Sequence, residues 1–126
     1  SHPCPLFVSL AEEGWLDDEV TEMVARRYLE PLAGFKADTL VLGCTHYPLL
    51  KNVISKVAGE SVVLVDSAAE TAIEIESLLK EKDLLNGREK NDRFECFVSD
   101  TPYLFKEVGE RFLGRPIEKI ERVEFK

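Results

Sequence analysis

Residues 39–50 read Thr-Leu-Val-Leu-Gly-Cys-Thr-His-Tyr-Pro-Leu-Leu, and this stretch decides the fold. Its first part, Thr39 to Gly43, is a continuous apolar run of the kind found in parallel strands buried on both faces. Gly43, Cys44, Thr45 and His46 follow as a sharp turn, and Pro48 suits the first position of a new helix, where its missing N–H is no loss. Leu49, Leu50, Val53, Ile54 and Val57 repeat at helical spacing and give that helix a core face. Val62 to Val65 then form a second buried strand of the same type. A strand, a helix and a second buried strand in this order make a parallel unit.

Working outward, the same alternation continues. Pro5-Leu-Phe-Val-Ser-Leu (5–10) reads as a short buried strand, with Glu12, Glu13 and Gly14 as the loop after it. Asp17 or Asp18 can cap a helix whose apolar positions are Val20, Met23, Val24 and Tyr28, ended or kinked by Pro31 and Gly34. Ser67 and Glu70 have capping-box spacing and open another helix, with Ala69, Ala72, Ile73 and Leu79 inward. Residues 80–93 are charged and contain the turn pair Asn86-Gly87, which makes them a solvated connector and a boundary. Phe94, Cys96 and Val98 alternate as one strand face. Thr101-Pro102 starts a final helix, using Leu104, Phe105, Val108 and Phe112, that stops at Gly114. Residues 117–125 suit an edge strand. The expected class is α/β, a mostly parallel sheet flanked by helices.

Composition narrows the function. The 126 residues are 44% hydrophobic and 32% charged, with a net charge of −8. A soluble globular chain is expected, since no apolar run is long enough to cross a bilayer. A phosphate-binding surface needs clustered Lys and Arg, and the densest group here is the mixed segment Arg88, Lys90, Arg93. Nucleic acid and membrane are therefore poor partners, whereas an anionic small molecule responds to local charge and stays open. Three cysteines, at 4, 44 and 96, are an odd and widely spaced set, which favours reduced thiols in the cytoplasm over a disulfide framework. The only methionine is Met23, and a strand-like run begins at Pro5, so the start reads as cut from something longer.

The turn at 43–46 is where chemistry can sit. Open parallel sheets bind ligands at the carboxyl ends of their strands. A helix N-terminus beside a cysteine favours the thiolate, and His46 is placed to pair with it or to move its proton. Taken singly, Cys44 also fits a small buried thiol and His46 a hydrogen-bonded structural residue. Cys4 and Cys96 read as packing residues. Asp66 fits a structural cap and a site residue equally, and Trp15 fits packing or the lining of a cleft. A zinc site from Cys4, Cys44, Cys96 and His46 lacks ligand spacing. A thiol hydrolase reading of Cys44 and His46 lacks an evident third, orienting group.

The whole run is more specific than its parts. Gly43-Cys44-Thr45-His46-Tyr47-Pro48-Leu49-Leu50 closely resembles the second catalytic motif of bacterial glutamate racemases. Cys4-Pro5-Leu6-Phe7-Val8 with Glu12-Glu13-Gly14 resembles another signature of that family's C-terminal half. Val65-Asp66-Ser67-Ala68 is similar to its next strand end, and Phe97-Val98-Ser99-Asp100 through Phe112-Leu113-Gly114 to its tail.

The resemblance implies half of a two-domain pseudosymmetric fold. Residues 1–74 would form part of the second α/β domain, and 75–126 a C-terminal segment that packs back onto a first domain not represented here. It also implies cofactor-independent interconversion of L- and D-glutamate, with no metal, by two cysteines acting on opposite faces of the α-carbon, one as thiolate and one as thiol. By motif position Cys44 is one acid/base and His46 assists it. Thr45 contacts substrate, and Glu12 is the carboxylate near the site, with Glu13 as fallback. The partner cysteine and the Asp-Ser segment of the first half have no counterpart, so the chain alone is expected to be silent. Its implied partners are glutamate and that first half. A homodimer is compatible with the sequence but not specified by it. The implied role is D-glutamate supply for peptidoglycan, hence cell-wall biogenesis and cell shape, in the bacterial cytoplasm. An aspartate or hydantoin racemase is the rival within the fold, against which Thr45-His46-Tyr47-Pro48 speaks. A non-catalytic small-ligand-binding domain is the rival outside it, and thiol titration would separate the two.

Overall fold

The computed structural model describes residues 1–87 and 94–124, in the order α1 (Leu6–Glu13), α2 (Glu19–Ala33), β1 (Thr39–Leu42), a 3-10 turn (Tyr47–Leu50), α3 (Lys51–Ala58), β2 (Val63–Asp66), α4 (Ser67–Glu81), β3 (Glu95–Val98), α5 (Pro102–Leu113) and β4 (Lys119–Arg122). Two compact units divide between Leu85 and Asn86. The first holds the parallel pair β1–β2, with Leu40 opposite Leu64 and Leu42 opposite Asp66. The second holds the parallel pair β3–β4, with Cys96 opposite Ile120. From α2 onward helices and parallel strands alternate, as the α/β reading requires. Residues 88–93 of the expected connector, and Phe125, lie outside the described residues.

The chain begins with a helix, not a strand. Phe7, Leu10 and Ala11 are buried at spacings of a helical face. Pro5 precedes the first turn, where the amides of Phe7 and Val8 reach back to the carbonyls of Cys4 and Pro5. Glu12 and Glu13 belong to its last turn rather than to a loop. Gly14 closes the helix in the left-handed region at φ 79, and the amides of Gly14 and Trp15 satisfy the carbonyls of Ala11 and Leu10.

Asp18 caps α2 by accepting from the Thr21 amide at 2.9 Å. Pro31 sits inside α2, which runs on to Gly34. The inward face matches the expected one only in part: Val24 and Tyr28 pack against the core, but Val20 and Met23 do not. Thr21 and Ala25 are fully buried, while Val20 and Met23 are exposed. Small residues let α2 lie close against α3, and the buried Thr21 hydroxyl is satisfied by the carbonyl of Trp15 at 2.5 Å.

Leu50, Val53 and Ile54 are buried as expected, with Leu49 and Val57 packed beside them. With Cys4, Phe7, Leu10, Ala11, Ala25 and Leu42 they form the core of the first unit. Fully burying a side chain such as Leu50 or Ile54 contributes roughly 1.5–3 kcal/mol.

The two strands are not buried on both faces. Val41 is 61% and Val63 62% exposed. On α4, Ala69, Ala72 and Ile73 are likewise exposed, and only Leu79 of the expected inward set is half-buried. In the second unit Leu104, Phe105 and Phe112 are exposed, while Val108 is half-buried. An apolar strand or helix face is buried only where a neighbouring layer covers it, and among the described residues these side chains stay exposed. Gly114 ends α5 at φ 61, as its sequence position suggests.

Candidate active site

β1 ends at Leu42, and Cys44, Thr45 and His46 occupy the loop at its carboxyl end. The element that follows is a 3-10 turn leading into α3, not an α-helix starting at once. Its first bond runs from the Tyr47 amide to the Cys44 carbonyl at 3.2 Å, so the loop is closed on itself. At the neighbouring strand tip Asp66 accepts from the amides of Ala68 and Ala69, at 3.0 and 3.3 Å. Asp66 is therefore the cap of α4, one residue before the expected Ser67. Ser67 turns its hydroxyl instead to the carbonyl of Leu42, at 3.1 Å. That bond ties the end of β1, just before the cysteine, to the start of α4.

The structure brings three of the expected residues together. The Cys44 sulfur lies 4.0 Å from Nδ1 of His46. Nε2 of the same ring lies 3.3 Å from Oε1 of Glu12, delivered by the last turn of α1. Thr45 is exposed, with its hydroxyl 3.4 Å from the same Nδ1. A carboxylate oxygen accepts, so Nε2 is the nitrogen that carries the proton towards Glu12. In the neutral ring Nδ1 is then an acceptor aimed at the Cys44 thiol. The arrangement can withdraw a proton from sulfur, or return one, with Glu12 steadying the imidazolium. Glu12, the carboxylate expected near the site, thus stands where a third, orienting group would be, and it comes from a helix rather than from the expected strand and loop.

Glu13, the fallback carboxylate, points elsewhere. With Trp15, Leu6, Leu10, Val20 and Val24 it lines a separate, largely apolar pocket of about 250 Å³ between α1 and α2. Cys4 is buried beside the start of α1, and burial pushes its thiol above the ordinary value. Cys96 is half-buried in the second unit. Among the described residues no group of three or more His, Cys, Asp or Glu side chains is placed to hold a metal ion, and no helix is long and apolar enough to cross a membrane.

A residue not singled out from the sequence, Tyr47, supports the site. Its hydroxyl donates to the Cys4 carbonyl at 3.2 Å, and its ring meets Phe7 edge-on, with centroids 5.4 Å apart at 85°. Burial, opposed by that hydrogen bond, pushes the phenol above its ordinary value, so it stays a donor at neutral pH. Its place next to His46 in the motif was the available signal.

No family model matches the chain. Curated relatives do. The chain is 52% identical over 119 residues to the glutamate racemase of Neisseria meningitidis serogroup A, covering 94% of this chain and 44% of that protein. It is 52% identical over 120 residues to the glutamate racemase of Geobacter metallireducens, covering 95% of this chain and 44% of that protein.

The chain belongs to the glutamate racemase family.

Solved glutamate racemases agree in fold. The Francisella tularensis enzyme, crystallised with D-glutamate, superposes with a TM-score of 0.86 at 39% identity, over 98% of this chain and 46% of that one. The Thermus thermophilus enzyme, crystallised with beta-chloro-D-alanine, gives 0.86 at 43% identity, over 97% and 46%. The chain thus spans less than half the length of the racemases it matches.

Proposed function

We propose that this chain contributes one half of the active site of a cofactor-independent glutamate racemase, with Cys44 as one of two opposed acid/base groups. The observation that carries this reading is the convergence of Cys44, His46 and Glu12 at the tip of a parallel strand, in a chain about half identical to glutamate racemases. As thiolate, Cys44 takes the α-proton of one glutamate enantiomer and becomes a thiol. A cysteine from the other half of the protein, starting as thiol, gives a proton to the opposite face and becomes a thiolate. The centre is inverted and the two sulfurs exchange protonation states. Two groups are required because one base returning its own proton would restore the starting hand.

The α-hydrogen of an amino acid is a very weak acid, so the developing carbanion needs fixed electrostatic help. His46 and Glu12 supply the means to set the protonation of Cys44. Thr45, exposed beside them, contacts the substrate through its hydroxyl or amide. Residues 1–74 are assigned to the domain that carries this motif, and 75–126 to a segment that completes the other domain. The apolar surfaces at Val41, Val63 and along α4 and α5 suit cover by that missing half. The product, D-glutamate, would serve bacterial peptidoglycan in the cytoplasm.

Racemisation by the complete protein tests this. L-Glutamate should be converted to D-glutamate without added pyridoxal phosphate, and Cys44→Ser should lower turnover by at least about a thousandfold. The 126-residue chain alone should show no turnover. Undiminished activity in Cys44→Ser would end the assignment, and preference for L-aspartate would overturn the substrate.

A further inference from the structure

We propose that Tyr47 is the positioning residue that sets the Cys44–His46–Glu12 geometry, by fastening the loop after β1 to the first turn of α1. The inference rests on Cys44 being an acid/base, as proposed above.

Two sides of the site come from different elements. Cys44 and His46 lie on the loop, and Glu12 lies on α1. The 3.3 Å approach of Glu12 to His46 therefore depends on how the loop sits against that helix. Tyr47 joins the two without using any of the site's own functional atoms. Its amide closes the loop on the Cys44 carbonyl, and its hydroxyl reaches the carbonyl of Cys4. That carbonyl also accepts the Phe7 amide at 3.1 Å, so it is part of the first turn of α1. The ring of Tyr47 then packs on Phe7, a buried residue of the same helix. α1 is short and closed at Gly14, so it moves as one piece and carries Glu12 with its N-terminal turn.

Tyr28 provides an internal contrast. Its hydroxyl accepts from the Leu6 amide at 3.2 Å, and its ring also meets Phe7 edge-on, with centroids 5.3 Å apart. It belongs to α2, so its hydrogen bond secures α1 to that helix rather than to the Cys44 loop. A generic loss of support for α1 should follow from either tyrosine. Loss of alignment between loop and helix should follow from Tyr47 alone.

The experiment compares Tyr47→Phe, which keeps the ring and removes the hydroxyl, with Tyr28→Phe. In the 126-residue chain, Tyr47→Phe should slow iodoacetamide modification of Cys44 about threefold at fixed pH, since small misplacements of a catalytic pair weaken it steeply. It should also move the His46 ring NMR resonances in the direction seen for Glu12→Gln. Tyr28→Phe should leave both readouts as in the unaltered chain. In the complete protein, Tyr47→Phe should lower kcat about tenfold with KM for glutamate within about twofold. Added to Glu12→Gln, it should cost nothing further, because both act on the same contact. Unchanged Cys44 reactivity and His46 resonances in Tyr47→Phe would overturn the inference, as would equal effects from Tyr28→Phe or fully multiplicative losses in the double variant. If the unaltered complete protein fails to racemise glutamate, the functional reading falls, while the two measurements on the chain still decide the role of Tyr47.

Discussion

Oε1 of Glu12 lies 3.3 Å from Nε2 of His46, and the opposite nitrogen of that ring faces the sulfur of Cys44 at 4.0 Å. One imidazole thus links a carboxylate on α1 to a thiol on the loop after β1. Glu13, one residue further on, lines the apolar pocket with Trp15 instead. Glu12→Gln should therefore lower turnover of the complete protein by roughly 10- to 100-fold, the scale of a weakened general acid–base partner. Glu13→Gln should stay within about twofold. Steady-state kinetics on both variants checks this, and the reverse order would return the role to Glu13.

The three cysteines should differ in reactivity. Cys4 is only 6% exposed, whereas Cys44 and Cys96 are half-buried. Site-resolved alkylation followed by mass spectrometry should find Cys4 modified last by at least about tenfold, a difference that urea removes. The same burial makes a stability prediction. The Cys4 thiol is raised above its ordinary 9.0, so above that pH the unfolded chain releases the proton before the folded one does. Stability is fully present below pH 9.0 and falls as the pH climbs towards the raised folded value. Cys4→Ala should flatten that alkaline decline in urea titrations across the range.

Asp66 and Ser67 do different jobs at the second strand tip. Removing the Asp66 carboxylate leaves the amides of Ala68 and Ala69 without their cap. Asp66→Ala should cost about 1 kcal/mol, the ordinary value of an N-cap. Ser67→Ala keeps the cap and loses the bond to the Leu42 carbonyl. It should therefore cost less in chemical denaturation, yet disturb Cys44 reactivity more, because Leu42 is the last strand residue before the loop.

Much of this was legible in the sequence, and the failures have physical causes. The strand before Cys44, the Pro48 turn and the buried face of α3 follow from an unbroken apolar run, a proline and helical spacing. α1 was misread because a short apolar run with a β-branched Val8 suits a strand as well as a helix. The deciding signal lay past Leu10, where Ala11 continues the buried face and Gly14 supplies a left-handed cap. Glu12 was named from its motif position alone, and its direction towards His46 could not be read, since a loop residue has no fixed direction and a helical Glu12 does. The burial expected of Val41 and Val63 assumed a covering layer on each face of the strands, whereas both side chains are exposed among the described residues. Asp66 fitted a cap and a site residue equally, and Ser67 was the expected helix opener; both residues are good caps, and only the backbone shows that Asp66 takes that place.

Gly109 yields a last prediction, in which two ordinary rules oppose each other. In the middle of α5, replacing glycine with alanine should gain roughly 0.5–1 kcal/mol from helix propensity. A Cβ at Gly109, however, would lie 2.9 Å from Cδ1 of Ile117. Ile117 is 2% exposed and cannot swing into solvent, so the new methyl must displace a packed side chain. Overpacking of that kind costs roughly 1–3 kcal/mol, which exceeds the gain. Gly109→Ala should therefore lower stability by about 1 kcal/mol, and adding Ile117→Val, which deletes the methyl in the way, should recover part of the loss. Denaturant titration of the single and double variants measures both terms. A stabilised Gly109→Ala would mean that the Ile117 side chain yields freely and that α5 is held to the segment before β4 less tightly than the close approach implies.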